Sequence, residues 1–177
     1  MKVVEARVNG LILEHKTQQN VVVLRETGGE RILPIWIGPG EAQAIRRVLA
    51  EEPFPRPLTH DLLVRVVEGL KARISRVVVA ELRENTFYAS VVVQTEAGTL
   101  AIDSRPSDAI ALALRAKAPI FVNEELLQEP PGGEAAEDAG DEPPDEPENE
   151  PSDEEKAEQL RRFLEKLNPE DFGKFQL

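Results

Sequence analysis

Leu100-Ala101-Ile102-Asp103-Ser104-Arg105-Pro106-Ser107-Asp108-Ala109-Ile110-Ala111-Leu112-Ala113-Leu114 passes from strand to helix within fifteen residues. Leu100 and Ile102 alternate with Ala101 and Asp103, as in an extended chain, until Pro106-Ser107 stops the alternation. Ser107 reads as a helix N-cap, Asp108 stands where the positive end of the helix dipole favours a carboxylate, and Ala109 to Leu114 is apolar. A helix apolar all round is a buried one. Asp103, Arg105 and Asp108 therefore sit where a strand hands over to a buried helix, a junction at which α/β proteins often bind ligands. Charges placed there require partners or a purpose.

Upstream, Lys2 to Glu14 reads as a strand with a bulge at Asn9-Gly10. Asn20 to Glu26 and Glu30 to Ile37 flank Thr27-Gly28-Gly29 as a hairpin, and Pro34 marks its second strand as an edge or bulge. Gly38-Pro39-Gly40 leads into a helix from Glu41 to Glu51 with Ala42, Ile45, Val48 and Leu49 facing inward. After the proline-rich connector 53–57, Thr59 caps a helix from His60 to about Lys71, with Leu62, Leu63, Val66, Val67 and Leu70 on its inner face. Ile74 to Leu82 and Thr86 to Gln94 form a second hairpin around Arg83-Glu84-Asn85, Thr99 to Asp103 a further strand, and Pro119 to Val122 a short last one.

A shift of 67 residues lays Leu33-Pro34-Ile35-Trp36-Ile37-Gly38-Pro39-Gly40-Glu41-Ala42 on Leu100 to Ala109. The layout predicts an α+β domain with a mixed β-sheet and a few packed helices, built from a duplicated β-hairpin–strand–turn–helix unit. Glu41 would then be the counterpart of Asp108.

Three regions follow from composition. Residues 1–127 hold the domain. Residues 128–151 carry six prolines, ten acids and three glycines without a Leu, Ile, Val or aromatic residue, the composition of a disordered, self-repelling tether. In residues 152–177, Ser152 to Glu155 reads as a capping box, and Leu160, Phe163, Leu164 and Leu167 fall on one helical face, predicting a docking helix for this body, another subunit or a protein partner. Of the net charge of −12, the tether carries −10 and residues 152–177, with 7 acids against 5 bases, the remainder, since residues 1–128 hold 16 basic and 16 acidic side chains. A neutral body has no broad basic footprint, so a nucleic-acid strand must be gripped locally. Without cysteine there is neither disulfide framework nor thiolate chemistry, and no stretch has the length of a signal peptide core or a membrane span; the expectation is a cytoplasmic protein that does not enter membranes.

Leu33 to Gly38 with Glu41-Ala42, Arg56-Pro57-Leu58-Thr59-His60-Asp61-Leu62, Asp103 to Ala109 and Ala118 to Val122 occur in an order that resembles the bifunctional nuclease domain family over about residues 2–127. The Leu167-Asn168-Pro169-Glu170-Asp171-Phe172 ending resembles that of bacterial members. The resemblance implies a compact, self-associating α+β domain and cleavage of DNA or RNA. Phosphodiester hydrolysis needs a nucleophilic water and a site that absorbs negative charge. Asp103, Asp108 and Glu41 are the candidate ligands for Mg²⁺ or Mn²⁺, with Asp61 as a further one. Arg105 is the candidate phosphate fork, Ser107 and Asp108 contribute amides at a helix start, and His60 beside Asp61 is a candidate general base. Arg46 and Arg47 are candidate contacts to the nucleic-acid backbone. Each has a plainer role as well: Ser107 a cap, Asp108 a dipole partner, Arg105 a bridge to Asp103, His60 first-turn polarity, and Trp36 core or subunit contact. If those roles prevail, the protein is a non-catalytic oligomeric scaffold or regulatory module that recruits a partner through its tail. No Gly-rich nucleotide loop, Ser-His-Asp set or zinc cluster is evident.

Overall fold

The computed structural model describes residues 1–14, 18–130 and Glu158. His15 and most of the tether and tail regions lie outside the described residues. Seven strands form one mixed sheet: β1 (Val3–Leu13), β2 (Asn20–Glu26), β3 (Ile32–Ile37), β4 (Arg73–Arg83), β5 (Thr86–Thr95), β6 (Gly98–Ser104) and β7 (Ile120–Asn123). Their order across the sheet is β3-β2-β1-β7-β4-β5-β6. β7 runs antiparallel to β1 and parallel to β4, which joins two antiparallel meanders into an α+β domain. The register of β1 shifts between Val8 and Gly10, at the expected bulge, and β3 with Pro34 forms one edge.

Three helices follow among the described residues: α1 (Pro39–Leu49), α2 (Thr59–Gly69) and α3 (Pro106–Ala116). α3 packs against β4, β5 and both other helices. Its Ala109, Ile110, Ala111 and Ala113 are fully buried and share one core with Val22, Leu24, Leu33, Ile35, Val77, Val79, Val91 and Val93 from the sheet. α1 buries Ala42 and Ile45, while Leu49, expected inside, is exposed in the last turn.

α2 departs furthest from expectation. Leu62, Leu63, Val66 and Leu70 are exposed rather than inward, and only Val64 and Val67 are packed against the core. The helix is held at the margin of the layer by α3 and β4, so a narrow stripe suffices to seat it. The rest of its apolar circumference is left facing solvent. No described helix is long and apolar enough to cross a membrane.

Candidate functional site

The starts of α1 and α3 have the same construction. Pro39 and Pro106 occupy the first helical position, where the missing N–H costs nothing, and Glu41 and Asp108 stand two residues further on. These positions are 67 residues apart, as the sequence alignment placed them. The N-caps are Gly38 and Arg105. Ser107, expected as the cap, instead lies inside the first turn and is buried, because Pro106 already has helical geometry. Likewise Leu58 rather than Thr59 caps α2, and its N–H donates to Asp61 Oδ2 at 2.8 Å.

Arg105 ties the two acids together, with Nη1 2.9 Å from Glu41 Oε1 and Nε 2.7 Å from Asp108 Oδ2. The second oxygen of Asp108 lies 3.0 Å from His60 Nε2 at the start of α2. One chain, Glu41–Arg105–Asp108–His60, thus connects the first turns of all three helices. The hydrogen bond with His60, followed by that from Arg105, holds the Asp108 carboxyl below its ordinary range against the opposing effect of burial. Asp108 in turn raises Arg105. An ionised Asp108 only accepts, so Nε2 of His60 carries the proton, and in the neutral ring Nδ1 is left as the acceptor nitrogen.

These residues rim a cleft of about 890 Å³ whose apolar wall includes Ile74, Val91, Val93 and Ile102. Arg105 is more than half exposed there, whereas His60 is largely covered. Arg47 reaches the same cleft; Arg46 is exposed and does not line it. Arg47 also lies 5.1 Å from the centroid of the Phe54 ring.

Asp103 contributes to the cleft's edge but stays outside the ion-pair chain. It pairs with Ser90, between Ile102 opposite Val91 and Ser104 opposite Ala89, so the pleat turns its side chain to the other face of the sheet. The donor set does not fit a divalent ion in this arrangement. Among the described residues no three His, Cys, Asp or Glu side chains gather around a common point. Both oxygens of Asp108 are engaged, and Glu41 is bound to Arg105.

Asp61 belongs to a different junction. Arg115, whose side chain is 7% exposed, donates from Nε to Asp61 at 2.6 Å and from its terminal nitrogens to the carbonyls of Ala111 and Ala44. Burial acts to raise the Asp61 carboxyl, but the Leu58 N–H and Arg115 outweigh it and hold the group low. Sequence reasoning overlooked Arg115. Its signal was a cation placed directly after the apolar run Ala109 to Leu114, still within the helix.

The model of the bifunctional nuclease domain matches residues 22–131, and the chain belongs to this family. An "Uncharacterized protein" of Mycobacterium tuberculosis is 37% identical over 171 residues, covering 95% of this chain and 97% of its own length. "Bifunctional nuclease 1" of Oryza sativa subsp. japonica is 27% identical over 120 residues, which is 66% of this chain and 36% of the rice protein. "Bifunctional nuclease" of Oryza minuta matches to the same extent.

Proposed function

We propose that the chain cleaves phosphodiester bonds of DNA or RNA in the cleft bordered by Arg105, Asp108 and His60. The observation that carries this reading is the His60–Asp108–Arg105 arrangement: a carboxylate-oriented imidazole beside an exposed guanidinium. In it, Nδ1 of His60 takes the proton from the attacking oxygen, and Asp108 fixes the tautomer and balances the charge that develops on the ring. Arg105 holds the phosphate, with Arg47 as a second contact to the strand. The apolar wall gives an unstacked base a surface to rest on. Family membership supports the substrate class. A divalent ion, Mg²⁺ or Mn²⁺, enters this reading only if Arg105 yields Glu41 and Asp108 to it.

The test is cleavage of labelled single-stranded RNA and DNA in Mg²⁺, Mn²⁺ or EDTA, with wild type, Asp108→Asn and His60→Gln. We expect His60→Gln to lose about 10²-fold or more in rate, the usual contribution of a positioned acid–base group. Cleavage that survives both substitutions overturns the site assignment, and loss of activity in EDTA assigns the metal a part. An inert wild type overturns the nuclease reading.

A second reading rests on a separate observation. The same ion-pair chain clamps three helix starts, and the exposed Leu62, Leu63, Val66, Leu70, Leu100 and Ile102 supply an apolar surface near it. In this reading the protein is a scaffold that self-associates through α2 and β6, and the chemistry is absent. The cysteine-free composition suits a reducing compartment such as the cytoplasm in either case.

A further inference from the structure

The two meanders differ on the face of the sheet turned away from the helices. In the first, Val21 and Val23 are 0% exposed, Ile32 3% and Trp36 6%, and these side chains form a cluster of their own. Pro34 between them is fully buried. No described helix packs there, since α1, α2 and α3 lie on the face that carries Val22, Leu24, Leu33 and Ile35. At the positions 67 residues on, Tyr88, Ala101 and Asp103 are exposed and Ser90 is partly so. On the backs of β4, β5 and β6 only Val92 is buried, among exposed and half-buried neighbours, whereas β2 and β3 carry a continuous covered apolar back.

We propose that the cover is the C-terminal segment of this chain, residues 157–177, docked on the backs of β2 and β3 through Leu160, Phe163, Leu164 and Leu167. Those four residues have the i, i+3, i+4, i+7 spacing of a single apolar stripe. Outside the described residues there is no other apolar supply. Residues 15–17 are His-Lys-Thr, and residues 131–151 contain no Leu, Ile, Val, Met or aromatic side chain. The path favours the same occupant. Gln128 exchanges two 2.8 Å backbone hydrogen bonds with Ile32, itself a member of the covered cluster, so the chain leaves the domain at that edge. Thirty-one residues separate Gln128 from Leu160, and a flexible chain of that length reaches roughly 30 Å, several times the approximately 5 Å between β3 and β2. A tether of that length gives the segment a high local concentration over its seat, so weak contacts suffice. Because the seat is on the face opposite the helices, the docked segment leaves the cleft open.

Trp36 is the only tryptophan and reports on the seat directly. In the full chain, Phe163→Asp/Leu164→Asp is expected to red-shift Trp36 emission and raise its acrylamide quenching constant several-fold, with the far-ultraviolet circular dichroism of the sheet retained. The chain lacks cysteine, so an acceptor dye on Gln159→Cys gives a second measurement in the otherwise native protein. Energy transfer from Trp36 is expected, unchanged on hundred-fold dilution and abolished in urea. Quenching that does not respond to the double substitution, or absence of transfer, overturns the assignment and points to another protein as the cover. Transfer that disappears on dilution overturns it in favour of a second copy.

Discussion

Asp108 accepts from two donors of different kinds, and that decides how it responds to pH. Its folded-state pKa lies below the ordinary 3.8, so ionised Asp108 stabilises the fold above that value, and this contribution is lost as the pH falls through the folded pKa. Asp61 acts in the same direction. Urea unfolding of Asp108→Asn is therefore expected to show a loss of roughly 1–3 kcal/mol at pH 7, typical of hydrogen bonds to a charged group, and a shallower decline than wild type below about pH 4. Arg115 is the more demanding residue, being nearly enclosed and bonded to two helix carbonyls as well as Asp61. Arg115→Met should cost roughly 2–4 kcal/mol by the same assay, a little below the usual figure for a broken buried pair because Asp61 is a third exposed. Glu41, Arg105 and Asp108 were legible in the sequence because helix starts follow local rules. That His60 meets Asp108 from 48 residues away, or that Arg115 meets Asp61, is set by packing that no local pattern encodes.

At the scale of elements, strands were easier to read than helix faces. The β-branched runs and glycine turns located the strands to within a residue or two, since alternation and turn chemistry are local. The face of α2 was misread because an apolar stripe signals burial against something, and the partner need not belong to the same fold. If Leu62 and Val66 face solvent in the monomer, Leu62→Glu/Val66→Glu should change unfolding free energy by no more than about 0.5 kcal/mol per site. If copies associate there, sedimentation will show the mass falling to that of one chain. Unchanged mass and stability would mean that α2 carries no subunit contact. The end of α3 offers a separate test. Lys117 caps it in the left-handed region with φ 52°, a conformation that disfavours a β-carbon. Lys117→Gly should raise the melting temperature, through a gain of up to about 1 kcal/mol, and a fall would show that the lysine side chain has a role of its own.

Across the whole molecule, charge and apolar surface are sorted along the chain: a balanced domain, ten acids without a base in residues 129–151, and then an amphipathic end. This division was readable from composition, whereas the covered back of β2 and β3 was not, because Val21, Val23 and Trp36 look like ordinary strand residues until the described helices are found on the other face. The acidic stretch follows Gln128 at the β3 edge, while the cleft reaches β5 and β6 across the sheet. Six strand spacings, about 29 Å, separate β3 from β6, and the near side of the cleft, rimmed by Glu41 and Arg47 of α1, lies closer to the β3 edge than that. The screening length is about 8 Å at 0.15 M salt and about 30 Å at 0.01 M. Repulsion between the acids and an incoming nucleic acid should therefore matter at low salt and fade near physiological salt. Replacing the ten acids of residues 129–151 by Ser and Gln is expected to tighten binding of a labelled single-stranded oligonucleotide several-fold in 0.01 M salt, by fluorescence anisotropy, and to leave affinity nearly unchanged in 0.15 M. An advantage that persists undiminished at the higher salt would mean that the acidic stretch enters the cleft and competes there directly, since charges in contact escape screening.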